Sequence, residues 1–81
     1  MDAYDILRNH CVSEQARERR EVAASRAEVQ SLVARQRVDP SVQDWHIEVA
    51  SRQLRDHQAV ERYLSQQVAA YPERQTAGVT P

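Results

Sequence analysis

Between Ser41 and Tyr71 the apolar residues recur at the α-helical period, but they cover too much of the helix. At roughly 100° per residue, Val42, Trp45, Val49, Val60 and Tyr63 fall on one flank. Leu64 and Tyr71 fall in the middle, and Ile47, Ala50, Leu54 and Val68 on the other flank. The arc spans roughly 200°, whereas packing on one neighbour needs a stripe of about 100°. The first part of the chain is different. From Asp2 to Val38 there is no Pro and no Gly, and Tyr4, Leu7, Cys11, Val22, Val29, Leu32 and Val33 share one narrow stripe. Gln15, Glu18, Ser25 and Gln36 lie in the same stripe, which is therefore continuous in phase but polar in its middle. Two readings fit. One is a single long helix; the other is a short helix ending near Asn9 and His10, with Ser13 capping a second, because Val12 and Ser13 are poor helix formers.

Local signals set the boundaries. Asp2, with Asp5 three residues on, suits a helix start, both carboxylates lying near the positive end of the dipole. Val38-Asp39-Pro40-Ser41 is the strongest turn signal: Asp39 reads as an N-cap and Pro40 as a first helical residue. Pro72 stops the second helix and leaves Tyr71 extended. The expectation is one domain over residues 1–72, with a helix over about 2–37, a turn at 38–40 and a helix over about 40–71. The last is about 30 residues, or roughly 45 Å at 1.5 Å per residue. Residues 73–81 read as a disordered tail.

So short a connection makes the helices antiparallel neighbours. The predicted fold is all-α: an antiparallel helical hairpin that dimerises into a four-helix bundle, because one narrow stripe cannot cover the second helix. Val29, Leu32, Val49, Leu54, Val60, Leu64 and Val68 are the candidate dimer interface. Hiding about 800 Å² per protomer would gain of order 20 kcal/mol gross, most of it offset by ordering and association costs. Tyr4, Ile6, Leu7, Trp45, Tyr63 and Tyr71 are the candidate partner-binding residues. Tyr4 and Tyr71 belong to the same end of the hairpin, with Leu7 and Val68. Ile6 points about 160° away from Tyr4, so one neighbour cannot cover both. That aromatic end either recognises a target or closes the dimer. Trp45 either seals the turn end or anchors a partner.

Composition narrows the function. In 81 residues, 41% apolar and without Phe, the core material is thin, and a chain this size buries only about 60–65% of its extended surface. Cys11, the lone cysteine, excludes an internal disulfide and reads as a small apolar residue of the first stripe. The basic residues are eleven Arg and no Lys, and the net charge is −1, which offers no field for nucleic acid. Arg17, Arg19 and Arg20 are balanced by Glu14, Glu18 and Glu21 in a solvated helix surface. No apolar run reaches the ~20 residues of a membrane span, and the acidic start lacks a secretory signal, so a cytoplasmic location is expected. His46 and His57 stand about 16 Å apart along a helix, too far to share a metal. His57, near Val60 and Leu64, would weaken an interface below about pH 6.5. With no catalytic constellation, no phosphate loop and no pocket of the usual ~300 Å³, neither enzyme activity nor a cofactor is expected.

In length, in its uninterrupted Arg/Glu/Gln/Ala-rich helices and in the turn at Val38-Asp39-Pro40, the chain resembles small phage-encoded helical-hairpin inhibitors. Those proteins dimerise and block host proteins such as quorum-sensing activators or the pilus-assembly ATPase. The resemblance implies a homodimeric inhibitor or adaptor of a larger cytosolic host protein. It carries no residue roles across, since no motif defines such proteins. Ser31-Leu32-Val33-Ala34 followed by Asp39-Pro40 is also similar in layout to antitoxins of Fic-type adenylyltransferases. There a Glu four residues after the Ser blocks nucleotide placement; here that position is Arg35, which removes the mechanism. A structural coiled-coil subunit is the competing class, and a DNA-binding regulator comes third.

Overall fold

In a computed structural model, which describes residues 2–73, the chain forms two helices, α1 (Ala3–Gln36) and α2 (Asp44–Ala70), packed antiparallel along their length. The expected all-α hairpin is the observed fold. The rod is 68 × 17 × 16 Å.

α1 runs without a break through Val12 and Ser13. Their propensity penalties are a few tenths of a kcal/mol each, too small to interrupt a helix that packs on α2 over its whole length. Asp2 caps it as anticipated, its Oδ1 accepting from Asp5 N–H at 3.0 Å. Beyond Gln36 the chain turns rather than restarting at once. Val38 and Asp39 N–H both donate to the Arg35 carbonyl, at 3.1 and 2.8 Å.

The start of α2 is four residues later than the Asp39-Pro40 pair led us to expect. Asp39 caps a turn instead of a helix. Its Oδ1 accepts from Ser41 N–H at 2.9 Å and from Ser41 Oγ–H at 2.6 Å, and its carbonyl accepts from Val42 N–H at 3.2 Å. Gln43, extended at φ −96°, ψ 162°, is the N-cap residue, and its N–H donates to His46 Nδ1 at 3.0 Å. Val42 consequently leaves the helical flank the periodicity gave it and plugs the turn, 6% exposed. Gln36 Nε2 donates to Asp44 Oδ1 at 2.6 Å, tying the two helix ends together. At the other end Tyr71 leaves α2 at φ −120°, ψ 70°, outside the helical region that the following proline disfavours but short of the extended conformation expected. Of the expected tail, residues 74–81 lie outside the described residues.

The contact follows a 3.5-residue repeat. On α1 the shielded positions step by four and three: Tyr4, Arg8, Cys11, Gln15, Glu18, Val22, Ser25, Val29, Leu32, Gln36. On α2 they are Ile47, Ala50, Leu54, His57, Glu61, Leu64 and Val68. This is the seam of an antiparallel coiled coil. It is apolar near the turn and near the open end, and polar between. Among the described residues only Val42, Ala50 and Glu18 are buried, and no side chain is below 2% exposure. A hairpin this thin has little to set against its chain entropy.

Candidate functional site

Three features of the surface bear on function: a polar layer in the seam, an aromatic clasp at the open end, and an uncovered flank of α2.

The polar layer is built from the residues that interrupt the stripe of α1. Glu18, 7% exposed, places Oε2 2.8 Å from His57 Nδ1, and Oε1 3.8 Å from Arg17. Gln15 Nε2 donates to Ser65 Oγ at 2.8 Å, and the Ser65 hydroxyl in turn donates to Glu61 Oε1 at 2.9 Å. Arg19 Nε donates to the same oxygen at 3.2 Å. The chain Gln15–Ser65–Glu61–Arg19 crosses between helices twice. His46 and His57 have separate partners, Gln43 and Glu18.

These bonds hold the Glu61 carboxyl below the usual carboxylate range, the Ser65 hydroxyl first and the Arg19 guanidinium second. Asp39 is lowered likewise, by the Ser41 hydroxyl and then by the Ser41 N–H. Both groups are easier to ionise folded than unfolded. Their contribution is therefore present above the ordinary carboxylate values of about 4 and is lost as pH falls through the lower folded-state values. Urea midpoints should decline as pH falls below about 4. A midpoint that rises on acidification would contradict the assignment.

The sequence placed Tyr4 and Tyr71 together, and they meet: the ring centroids are 5.8 Å apart at 72°, edge to face. Tyr4 O–H donates to the Pro72 carbonyl at 2.8 Å. The pair clasps the open end. Ile6 and Leu7 lie outside the clasp, 59% and 49% exposed.

On α2, Leu54, Leu64 and Val68 face α1, as do Val29 and Leu32 from the other helix, all half-buried. Val49, Val60, Trp45 and Tyr63 face away, 43%, 44%, 55% and 58% exposed. The residues grouped as one dimer interface are thus divided between the hairpin seam and the outer flank. Trp45 does not seal the turn end; it stacks on the neighbouring His46 ring at 3.8 Å, and its Nε1–H donates to Gln43 Oε1 at 3.1 Å. Beside it a shallow depression of ≈ 210 Å³ opens between Leu32, Trp45 and Val49. A second, of ≈ 260 Å³, lies on the opposite face along Val29 and Val33. Both are smaller than the ~300 Å³ at which small-molecule pockets begin.

Sequence reasoning missed Glu61, Ser65 and Arg8 as seam residues. The step Leu54–Glu61–Val68 was the signal for Glu61, and Tyr4–Arg8–Cys11 for Arg8. Arg8 is half-buried, and its Nε is shielded from solvent with no hydrogen-bond partner among the described residues. No described helix is long and apolar enough to cross a membrane. Comparison with protein-family models, curated proteins and solved structures yields no match, so the reading of this surface rests on its own chemistry.

Proposed function

We propose that the chain is a non-catalytic interaction module: a small homodimeric hairpin that binds and blocks a larger cytosolic protein, or links it to another. The observation that carries this is the uncovered flank of α2. Two aromatic and two aliphatic side chains are about half exposed on one helix face. The same hairpin buries no side chain completely among its described residues. A chain with so little core and so much outward apolar surface gains more from association than from its own interior. Surface ion pairs at below about 1 kcal/mol each do not change that balance. This agrees with the resemblance to phage-encoded hairpin inhibitors.

Two apolar regions divide the work. The flank of α2 serves self-association, and the open end, where Ile6 and Leu7 stand outside the tyrosine clasp, meets the target. The regular 3.5-residue seam favours a second reading, a coiled-coil subunit of a larger assembly.

The test is affinity capture with the tagged full chain, followed by mass spectrometry of what is retained. Wild-type protein should hold one larger protein at fixed stoichiometry. Ile6→Asp with Leu7→Asp should remain a helical dimer and lose that protein at least about tenfold, since two desolvated apolar contacts are replaced by charges. Retention of the same target by the double variant would move the recognition surface elsewhere. Retention of many copies of a scaffold component would favour the structural reading.

A further inference from the structure

The outer flank of α2 has an internal symmetry. Reading from the turn, its residues are Trp45, Val49, Arg52, Asp56, Val60 and Tyr63. At roughly 100° per residue all six fall within an arc of about 80°. The order is aromatic, aliphatic, cation, anion, aliphatic, aromatic. Reversed, it is the same except that the charges exchange sign. The midpoint of each pair, Trp45 with Tyr63, Val49 with Val60, Arg52 with Asp56, falls level with Leu54.

A stripe of this kind is complementary to itself when laid antiparallel. We propose that α2 packs against α2 of a second copy across a two-fold axis level with Leu54. Trp45 of each copy then meets Tyr63 of the other, Val49 meets Val60, and Arg52 meets Asp56, each contact occurring twice. The contact runs about 27 Å along the helix at 1.5 Å per residue. The depression between Leu32, Trp45 and Val49 is where Tyr63 of the second copy lands. Each aromatic has about half its surface free for the contact.

The charges select this arrangement. Neither Arg52 nor Asp56 has an ion pair or side-chain hydrogen bond among the described residues. Both lie in the centre of an otherwise apolar stripe, which charged groups leave unless a partner neutralises them. A parallel pairing would put Arg52 on Arg52 and Asp56 on Asp56. The antiparallel one neutralises both. A second copy is therefore the occupant the stripe specifies.

The inference rests on the dimeric reading above and adds its face and register. The test is sedimentation equilibrium of the full chain at about 0.15 M salt, where exposed pairs are partly screened. Arg52→Glu alone sets two carboxylates face to face twice; Asp56→Arg alone does the same with two guanidiniums. Each variant should stay helical by circular dichroism, since both sites are on the solvent side of the hairpin, and should dimerise at least about tenfold more weakly. An equimolar mixture of the two restores both ion pairs and should recover wild-type affinity as a mixed dimer. As a second readout, Val49→Cys and Val60→Cys, each with Cys11→Ser, should form a disulfide between the two species when mixed under oxidation. Variants that dimerise like wild type, or a mixture that fails to recover, would overturn the face and register while leaving the dimer standing. A wild-type chain that remains a single copy at every concentration would overturn both.

Discussion

Leu54→Asp is expected to unfold the hairpin. Leu54 lies half-buried in the seam of α2 against α1, in the apolar stretch on the turn side of the polar layer. The substitution forfeits the burial of a leucine side chain, worth about 1.5–3 kcal/mol when complete. It also brings a carboxylate to a position with no planned partner, which costs about 1–3 kcal/mol more. A rod with no fully buried side chain among its described residues has no reserve of that size. The far-ultraviolet circular dichroism signal at 222 nm should fall to that of a largely unfolded chain at room temperature. Val60→Asp is the control on the outer flank. There the loss falls on association, so helicity at high protein concentration should persist and the melting midpoint should no longer rise with concentration. Equal loss of helicity in both variants would mean that α1 also covers the outer flank.

The second large effect runs against intuition. Replacing Glu18 and His57 together by leucine should stabilise the hairpin by about 1–4 kcal/mol, while His57→Leu alone should destabilise it by about 1–3 kcal/mol. Glu18 is nearly buried, and its Oε2 is 2.8 Å from His57 Nδ1. Removing the imidazole leaves a desolvated carboxylate whose other contact, Arg17, is 3.8 Å away. Removing both extends the apolar seam through the middle and recovers the desolvation cost of the pair. Chemical denaturation of the single and double variants measures both numbers. The gain has a consequence for specificity. The polar layer penalises sliding of one helix along the other, because a shifted α2 would face Glu18 with Leu54 in one direction and with the like-charged Glu61 in the other. The double variant should therefore accept alternative pairings, visible as broadened amide spectra. A double variant less stable than the single would show that the layer contributes net stability as well as register.

Much of this was legible from local chemistry. Two helices, the Asp2 cap, the turn at Asp39-Pro40, the stop at Pro72 and the meeting of Tyr4 with Tyr71 follow from periodicity, caps and the length of the connection. The polar interruption at Gln15 and Glu18 was visible too. Local signals went astray where two roles suit one residue. Asp39 can cap a helix or a turn, and Ser41, offering both its N–H and its hydroxyl, settled the matter for the turn. That choice moved the start of α2 to Asp44 and put Val42 into the turn instead of on the flank.

The sequence by itself determined that α2 carries more apolar arc than α1 can cover, because the angular position of each residue on a helix follows from its number alone. Which part of that arc α1 takes was decided only in three dimensions. On one side, His57, Glu61 and Ser65 stand level with Gln15, Glu18 and Arg19 and can satisfy them, and the small Ala50 lets the helices approach. On the other, Val60 would have met Glu18 with no donor to offer. Partner matching across the seam, which depends on register and not on period, turned α1 toward the first side and left the Trp45–Tyr63 flank uncovered.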